Sequence, residues 1–463
     1  MENGKEDLAG FVKNIWNKVH DWWISFESNH LWIARLIVYF TCLAVVVLIC
    51  FILFRYFNLF HTDADSARYM LSALVQSQAA IVAIVITLTL IAVQLTASAY
   101  SPRVINIFKK NPDMWILLGC YGVSIFYGFI VLKLVEGAEG EFVSQSVIWS
   151  LGLASISFES CISLAYWLGA FTFVALFPYM WNIISLLKSE NIIKRLSEDI
   201  TKDKILNLKE DPIQPIMDII HGSIMKYDLE TTRVGIKAVT GQVIEIIDSD
   251  TEREISKLFC EHLERAGRLA ISREDEDSTV EVIENLENFG KSTADRSLES
   301  ATVQAIKSLG AVGIAVKEGL EFAKSQAASS LGKVGVSAVE KGFEDVARQA
   351  ASILFVSVVK VAAEKGLENV TSQAARSLGD IGIAATGKKF EILIYQVAGY
   401  LREVGRTALG KGFEDATWQA GRSLKHIGIA AAEKGLESAA EQAAKYYEML
   451  SSDKKEIKDK EKT

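Results

Sequence analysis

Four long apolar runs crowd the first 187 residues, and they limit what this chain can become more than any other feature. They fall at 31–54, 78–99, 114–135 and 161–187. A helix needs about 20 apolar residues to cross the hydrocarbon core of a bilayer, and each run meets that length. Inside lipid every backbone donor and acceptor must find its partner within the protein, which for such runs means helices. The charges divide in the same way. Residues 1–187 carry 22 charged side chains, and residues 188–463 carry 84. The expectation is an all-α chain: a four-helix polytopic membrane domain over 31–187, then a cytoplasmic, solenoid-like domain of α-helical repeats.

The flanks of the runs set an expected topology. The polar preface of the first run is too long for a signal peptide, and no small-residue cleavage site follows it, so it reads as a retained anchor. Within that preface Trp16, Trp22 and Trp23 punctuate a charged stretch, as in an interfacial amphipathic segment over 1–30. Lys5, Lys13, Lys18 and Arg35 precede the first run. Arg103, Lys109 and Lys110 occupy the second connection, and Lys188, Lys194 and Arg195 follow the fourth run. The other connections hold Arg55, Arg68 and Lys133 against Glu136, Glu139 and Glu141. The positive-inside rule then places both termini in the cytoplasm of a multi-pass cell-membrane protein.

Polar residues inside the runs are the candidate functional positions. In the second run Ala80, Ala83, Thr87, Gln94 and Ser98 fall near one face at helical spacing. Polar groups in hydrocarbon need partners, so this face meets protein or water rather than lipid. One reading is a helix–helix seam; the other is a hydrated conduit lined by several copies of Thr87, Gln94 and Ser98. In the third run Cys120, Ser124 and Gly128 form a small-residue ridge suited to close packing. The fourth apolar region, from 147 to 187, is too long for one ordinary crossing. Its first part is an external strand, a re-entrant piece or an extended helix. Glu159 then lies either at the outer interface, as an outer-mouth carboxylate, or within a pore. Pro178 removes a backbone donor from the last span.

The second run leads into Gln94-Leu95, a small-residue stretch and Ser101-Pro102-Arg103, with Leu118-Gly119 opening the next run. This signature resembles a prokaryotic family of predicted integral membrane proteins of undefined function, over roughly residues 70–190. The resemblance implies membrane location and a helical fold, and supplies no activity.

Past residue 187 the chain changes character. Over 188–298, an irregular helical region, helix starts are expected at Asp211-Pro212, at Thr251 with Glu254, and at Ser278 with Glu281. From 299 to 450 it repeats. Glu299, Glu321, Glu344, Glu368, Glu391, Glu414 and Glu437 recur at a period close to 23. Each is followed five residues later by glutamine: Gln304, Gln326, Gln349, Gln373, Gln396, Gln419 and Gln442. Leu-Gly pairs follow at 309–310, 331–332 and 378–379, and Lys-Gly pairs close units at 341–342, 365–366 and 434–435. Such a period means stacked supersecondary units. The pattern at 374–382 is similar to short HEAT-like repeats. Each unit is expected to be two short helices of about ten residues, broken near the paired glycines, since glycine is a poor helix former. The Glu and Gln positions are expected on solvent-facing surfaces or in ladders between units. The charged tail 451–463 is expected to be disordered.

Chemistry is sparse. Cys42, Cys50, Cys120, Cys161 and Cys260 stand apart, with no disulfide or zinc spacing, and read as apolar packing residues. His221 reads as an ordinary helix residue, and Cys260 and His262 do not share a helix face. No nucleotide loop, metalloprotease motif or nucleophile elbow occurs, so neither an enzyme nor a cofactor is expected. A net charge of −8 without a basic face argues against nucleic acid. Two function classes remain. One is a homo-oligomeric, channel-like conduit with the repeats as a vestibule or gate. The other is a membrane-anchored scaffold whose repeats bind a protein partner, without transport.

Overall fold

The computed structural model describes residues 31–57, 64–99, 111–136, 147–151, 154–206 and 211–460. The chain forms two units, one of 1–98 and 102–188, the other of 99–101 and 189–463.

In the first unit the apolar runs become α1 (Leu31–Tyr56), α2 (Ala64–Ala99), α3 (Pro112–Glu136) and α4 (Phe158–Leu186). All four have the length and hydropathy of membrane spans. Helix α2 starts at Ala64, well before the expected 78. Its 36 residues extend about 54 Å at 1.5 Å per residue, against a hydrocarbon core of about 30 Å. The stretch before α4 is an antiparallel hairpin, β1 (Val147–Leu151) with β2 (Ala154–Ser157), pairing Leu151 with Ala154 and Ser150 with Ser155. Of the three alternatives, the strand is therefore the one adopted. Ala67 and Leu71 of α2, Val131 and Val135 of α3, and Ile162 and Ala165 of α4 form one buried cluster. Glycines let α2 come close. A Cβ on Gly128 of α3 would stand 2.7 Å from Val75, and one on Gly169 of α4 would stand 2.7 Å from Leu74. Gly128 and Ser124 of the expected ridge do face the packed interior.

The second unit is helical throughout its described residues. It opens with α5 (Ser189–Glu198), α6 (Lys202–Leu206), α7 (Gln214–Met225), α8 (Leu229–Ile246), α9 (Glu252–Ser272) and α10 (Glu276–Asp295). The sequence repeats then give α11 (Glu299–Ala315), α12 (Glu321–Glu340), α13 (Glu344–Glu364), α14 (Glu368–Lys388), α15 (Glu391–Gly410), α16 (Glu414–Glu433) and α17 (Glu437–Lys460). Each period is thus one helix of about 20 residues, not two of ten. The break comes at Lys-Gly rather than at Leu-Gly. Gly342, Gly366, Gly412 and Gly435 adopt φ of +91°, +79°, +78° and +74°, the left-handed turn that glycine takes without strain. The apolar residue after each glycine closes the turn through its backbone N–H, as Phe343 does to Ala338 O at 2.9 Å and Phe413 to Ala408 O at 2.8 Å. Glutamate then opens the next helix, where its charge meets the positive end of the helix dipole.

The Leu-Gly glycines serve packing. Helices alternate between two layers and each stacks on the helix two places along: α10, α12, α14 and α16 in one layer, α9, α11, α13, α15 and α17 in the other. A Cβ on Gly332 would fall 2.5 Å from Ser377, on Gly379 2.4 Å from Ser423, and on Gly310 2.4 Å from Ile353. Two sequence periods therefore make one stacked hairpin.

Four further expectations need correction. The stack reaches back into 188–298, because Glu252 and Glu276 start helices that pack like the later ones. Thr251 caps nothing with its side chain, its hydroxyl bonding Asp248 instead. Asp275 rather than Ser278 caps α10, so Glu281 is free to bind Arg233 at 3.1 Å. The tail expected to be disordered from 451 continues α17 to Lys460. Within α13, a π-helical stretch at Leu354–Val359 interrupts the α pattern. This helix also passes the length and hydropathy test for a span, though over half of its most apolar window is buried.

Candidate functional site

Helix α2 has two polar faces, and sequence periodicity identified only one of them. Thr87, Gln94 and Ser98 lie on the outside of the four-helix unit together with Ala80 and Ala83. Thr87 Oγ1 donates to Ala83 O at 2.8 Å and Ser98 Oγ to Leu95 O at 2.9 Å, bonds a hydroxyl makes to its own helix. Gln94 is exposed on the same face. The inward face carries Gln78, Thr89 and Thr96, all buried.

Gln78, 3% exposed, is the hub of a layer joining three helices. Its Nε2 donates to Ser124 Oγ of α3 at 2.9 Å and to Thr172 Oγ1 of α4 at 3.3 Å. The close passage of Gly169 beside the Gln78 amide makes room for that layer. Further along α2, the Thr89 hydroxyl bonds the Tyr179 hydroxyl of α4 and also donates to Val85 O at 2.7 Å.

A third polar group gathers where α3 begins. Asn111 Oδ1 accepts the Asp113 backbone N–H at 3.1 Å, fixing the first turn. The Asp113 carboxylate is only 3% exposed, accepts from Asn182 Nδ2 of α4, and lies 3.7 Å from Arg35 Nε of α1. A carboxylate so enclosed costs several kcal/mol unless it is paired and hydrogen-bonded, and here it is both. At the opposite end Arg68 Nη2 donates to Val135 O at 3.1 Å and Glu136 O at 3.2 Å, capping the last turn of α3 from α2. These contacts tie the unit together; Asn111, Asp113, Asn182, Gln78 and Thr89 were not singled out from sequence. Only the intramembrane amide and the buried-end carboxylate could have signalled them, because their partners are remote in sequence.

The motif positions divide. Gln94 and Leu95 sit on α2 with exposed side chains, while Ser101, Pro102 and Arg103 lie outside the described residues. Glu159 is in the first turn of α4, and its side chain lies outside the described ones.

In the repeats the glutamates form a ladder. Glu252 accepts from Ala301 N at 3.5 Å, Glu276 from Ala323 N at 3.1 Å and Glu368 from Asp415 N at 2.8 Å. Each carboxylate at a helix start thus satisfies an orphan N–H at the start of the helix two places along. Glu299, Glu321, Glu391, Glu414 and Glu437 start their helices on the exposed side, and Glu344 holds Arg348 at 3.2 Å. Among the glutamines, Gln326 reaches Glu284 at 3.4 Å and Gln419 reaches Ser423 at 3.5 Å. Gln304, Gln349, Gln373, Gln396 and Gln442 are half-buried along the stack. Cys260 is buried, and burial pushes its thiol up.

Residues 28–323 match the model of a family described as "Predicted membrane protein (DUF2254)". No curated protein matches the chain. A solved structure titled "Circular tandem repeat protein with novel repeat topology and enhanced subunit contact surfaces" is similar over 86% of this chain and 98% of its own. That similarity has 12% sequence identity and a TM-score of 0.40.

Proposed function

Because the chain belongs to the DUF2254 family of predicted membrane proteins, we propose that it acts as a homo-oligomeric, channel-like conduit rather than as an enzyme. The observation that carries this reading is the outward face of α2. Gln94 stands there in the middle of an apolar surface that includes Ile91 and Leu95, with Ser98 about one turn and Thr87 about two turns away. An amide facing hydrocarbon is costly, and a second copy of α2, or water along an axis between copies, supplies its missing partners. The orientation that goes with this reading has both termini in the cytoplasm.

The test is paired. With Gln94→Leu, oligomer size in detergent stays unchanged while ion flux into liposomes falls, because a wetted polar ring becomes apolar and dewets. An altered oligomer without measurable flux overturns the conduit and leaves a packing seam. Labelling from outside the cell of a cysteine introduced into the repeats overturns the orientation.

A membrane-anchored scaffold is the second reading. It is favoured by Phe322, Ile392 and Trp418, large apolar side chains of the repeats that are 64%, 60% and 56% exposed. The Arg422 guanidinium lies 5.1 Å over the Trp418 ring, a pairing common on protein-binding surfaces. In this reading a protein partner occupies the repeats and flux is absent.

A further inference from the structure

Helix α7 packs on α9, and each carries a histidine, His221 and His262, that the proposed conduit does not use. His262, on α9, is 1% exposed. Its Nε2 lies 2.6 Å from Asp211 Oδ2, and its Nδ1 is buried without a partner. Asp211 lies two residues before the Ile213 N-cap of α7, so the helix starts later than the expected Asp211-Pro212, and its carboxylate accepts from Ile213 N at 2.9 Å and Gln214 N at 3.3 Å. One carboxylate therefore fixes the start of α7 and ties it to the middle of α9. His221, two turns into α7, is half-buried, and its Nε2 is enclosed without a partner. The charges that act on it are Asp218 on its own helix and His262 and Arg265 on α9.

Helices α5 and α8 also pack on α7; they carry Glu190, Lys194, Arg195 and Glu198, and Glu230, Arg233, Lys237 and Glu245, none of which is among the charges that act on His221. On α8, Arg233 and Lys237 are engaged with Glu281 of α10, at 3.1 and 3.7 Å. Near α6, Lys202 pairs with Asp248 and Lys204 with Asp199. A proton on His221 thus places a cation at a half-buried site whose Nε2 is enclosed without a partner, where Asp218 favours the charge and His262 and Arg265 oppose it.

We propose that the α7–α9 contact is an acid-operated latch: when His221 takes up a proton, α7 separates from α9, and the Asp211–His262 tie is the contact that gives way. Burial, opposed by Asp218 and reinforced by His262 and Arg265, holds His221 below its ordinary value of 6.5. The folded state thus favours the neutral ring. Its stabilisation is complete above pH 6.5 and is lost as pH falls below that value. Burial alone would raise Asp211, but the hydrogen bond from His262 and the backbone donors hold it below the usual carboxylate range. The tie therefore keeps its charge through the same interval, and the trigger lies with the imidazole.

Hydrogen exchange on the full chain in detergent tests this, comparing pH 7.5 with pH 5.0 after correction for the intrinsic rate. In the wild type, protection across 214–225 falls at least tenfold on acidification, while 368–433 keeps its protection. His221→Gln, which cannot be charged, abolishes the acid-induced loss. Asp211→Asn lowers protection of 214–225 already at pH 7.5 and leaves the pH dependence in place. Equal protection of 214–225 at both pH values in the wild type overturns the latch. So does an acid loss in His221→Gln as large as in the wild type, or a loss spread evenly over both regions. None of these outcomes depends on ion flux, so the latch and the conduit stand or fall separately.

Discussion

The membrane unit and the repeat unit are both helix stacks with glycine at their tightest crossings, yet their polarity is reversed. In the first, Gln78, Ser124 and Thr172 are buried while Phe40, Leu48 and Phe126 point outward. In the second, Ala327, Leu331 and Leu378 are buried while the helix-opening glutamates Glu299 and Glu321 are exposed. The hydrophobic effect explains the repeats, where stacking removes apolar surface from water. It explains nothing about how four apolar helices in lipid choose their neighbours. There, close packing at Gly128 and Gly169 and the hydrogen bonds of Gln78 and Thr89 do the selecting. The same residue type thus has one role in both units, and the polar side chains have opposite roles.

The strongest way to break this comparison is to fill a glycine crossing in the repeats. Gly379→Val places carbon 2.4 Å from Ser423 Oγ and 2.7 Å from its Cβ, and since Cβ does not move when the serine rotates, rotation alone does not relieve the clash. The expected loss is about 3 kcal/mol, at the upper end of typical overpacking, read as an early loss of helical signal in urea. A loss under about 0.5 kcal/mol would mean that the stack slides apart at no cost, and that the Leu-Gly glycines are not packing residues.

A smaller effect is expected at the hub of the membrane unit. Gln78→Leu removes two interhelical bonds, and interhelical hydrogen bonds in membranes are worth about 0.6 kcal/mol on average and rarely above about 1.7. Unfolding in mixed micelles should show a loss of about 1 kcal/mol. Gln94→Leu, on the outer face of the same helix, should leave that single-chain stability alone. Equal effects at 78 and 94 would erase the distinction between the two faces.

The smallest change sharpens the repeat side. At the end of α14 the turn position taken by glycine elsewhere is Lys389, with φ of +61°. A left-handed lysine carries about 1 kcal/mol of strain, so Lys389→Gly should stabilise the unit by up to about that amount. The reverse change at Gly412, to alanine, should cost about as much. A lower midpoint for Lys389→Gly would show that the lysine side chain has a compensating contact.

Much of this was legible from the sequence because it is local. The period near 23 was visible; of its glutamates Glu368 bridges to the helix two places along, while Glu299, Glu321, Glu391, Glu414 and Glu437 open their helices on the exposed side. Glycine's low helix propensity predicts two helices per period, and the packed context makes one. Gly310, Gly332 and Gly379 are poor helix formers, but in a packed stack the absence of a Cβ is what allows the neighbouring helix to approach. The true breaks, at Gly342, Gly366, Gly412 and Gly435, needed only the left-handed turn. The upstream repeats escaped notice because Tyr227, Glu274 and Ser297 occupy the turn positions with positive φ, where no glycine marks the boundary. Within α2, the spacing of Thr87, Gln94 and Ser98 identified a polar stripe correctly but not its direction.

Sequence by itself determined which segments are long and apolar enough to cross a membrane, and that the rest is built from a repeated helical unit. Both follow from hydropathy and periodicity summed along one stretch of chain. Which face of α2 turns inward was decided only by the tertiary structure, because it depends on Ser124 and Thr172 in α3 and α4, helices further along the chain. The same is true of Asp211 and His262, whose contact exists because α7 packs on α9. A side chain's chemistry is fixed by its residue, but its partner is fixed by the fold.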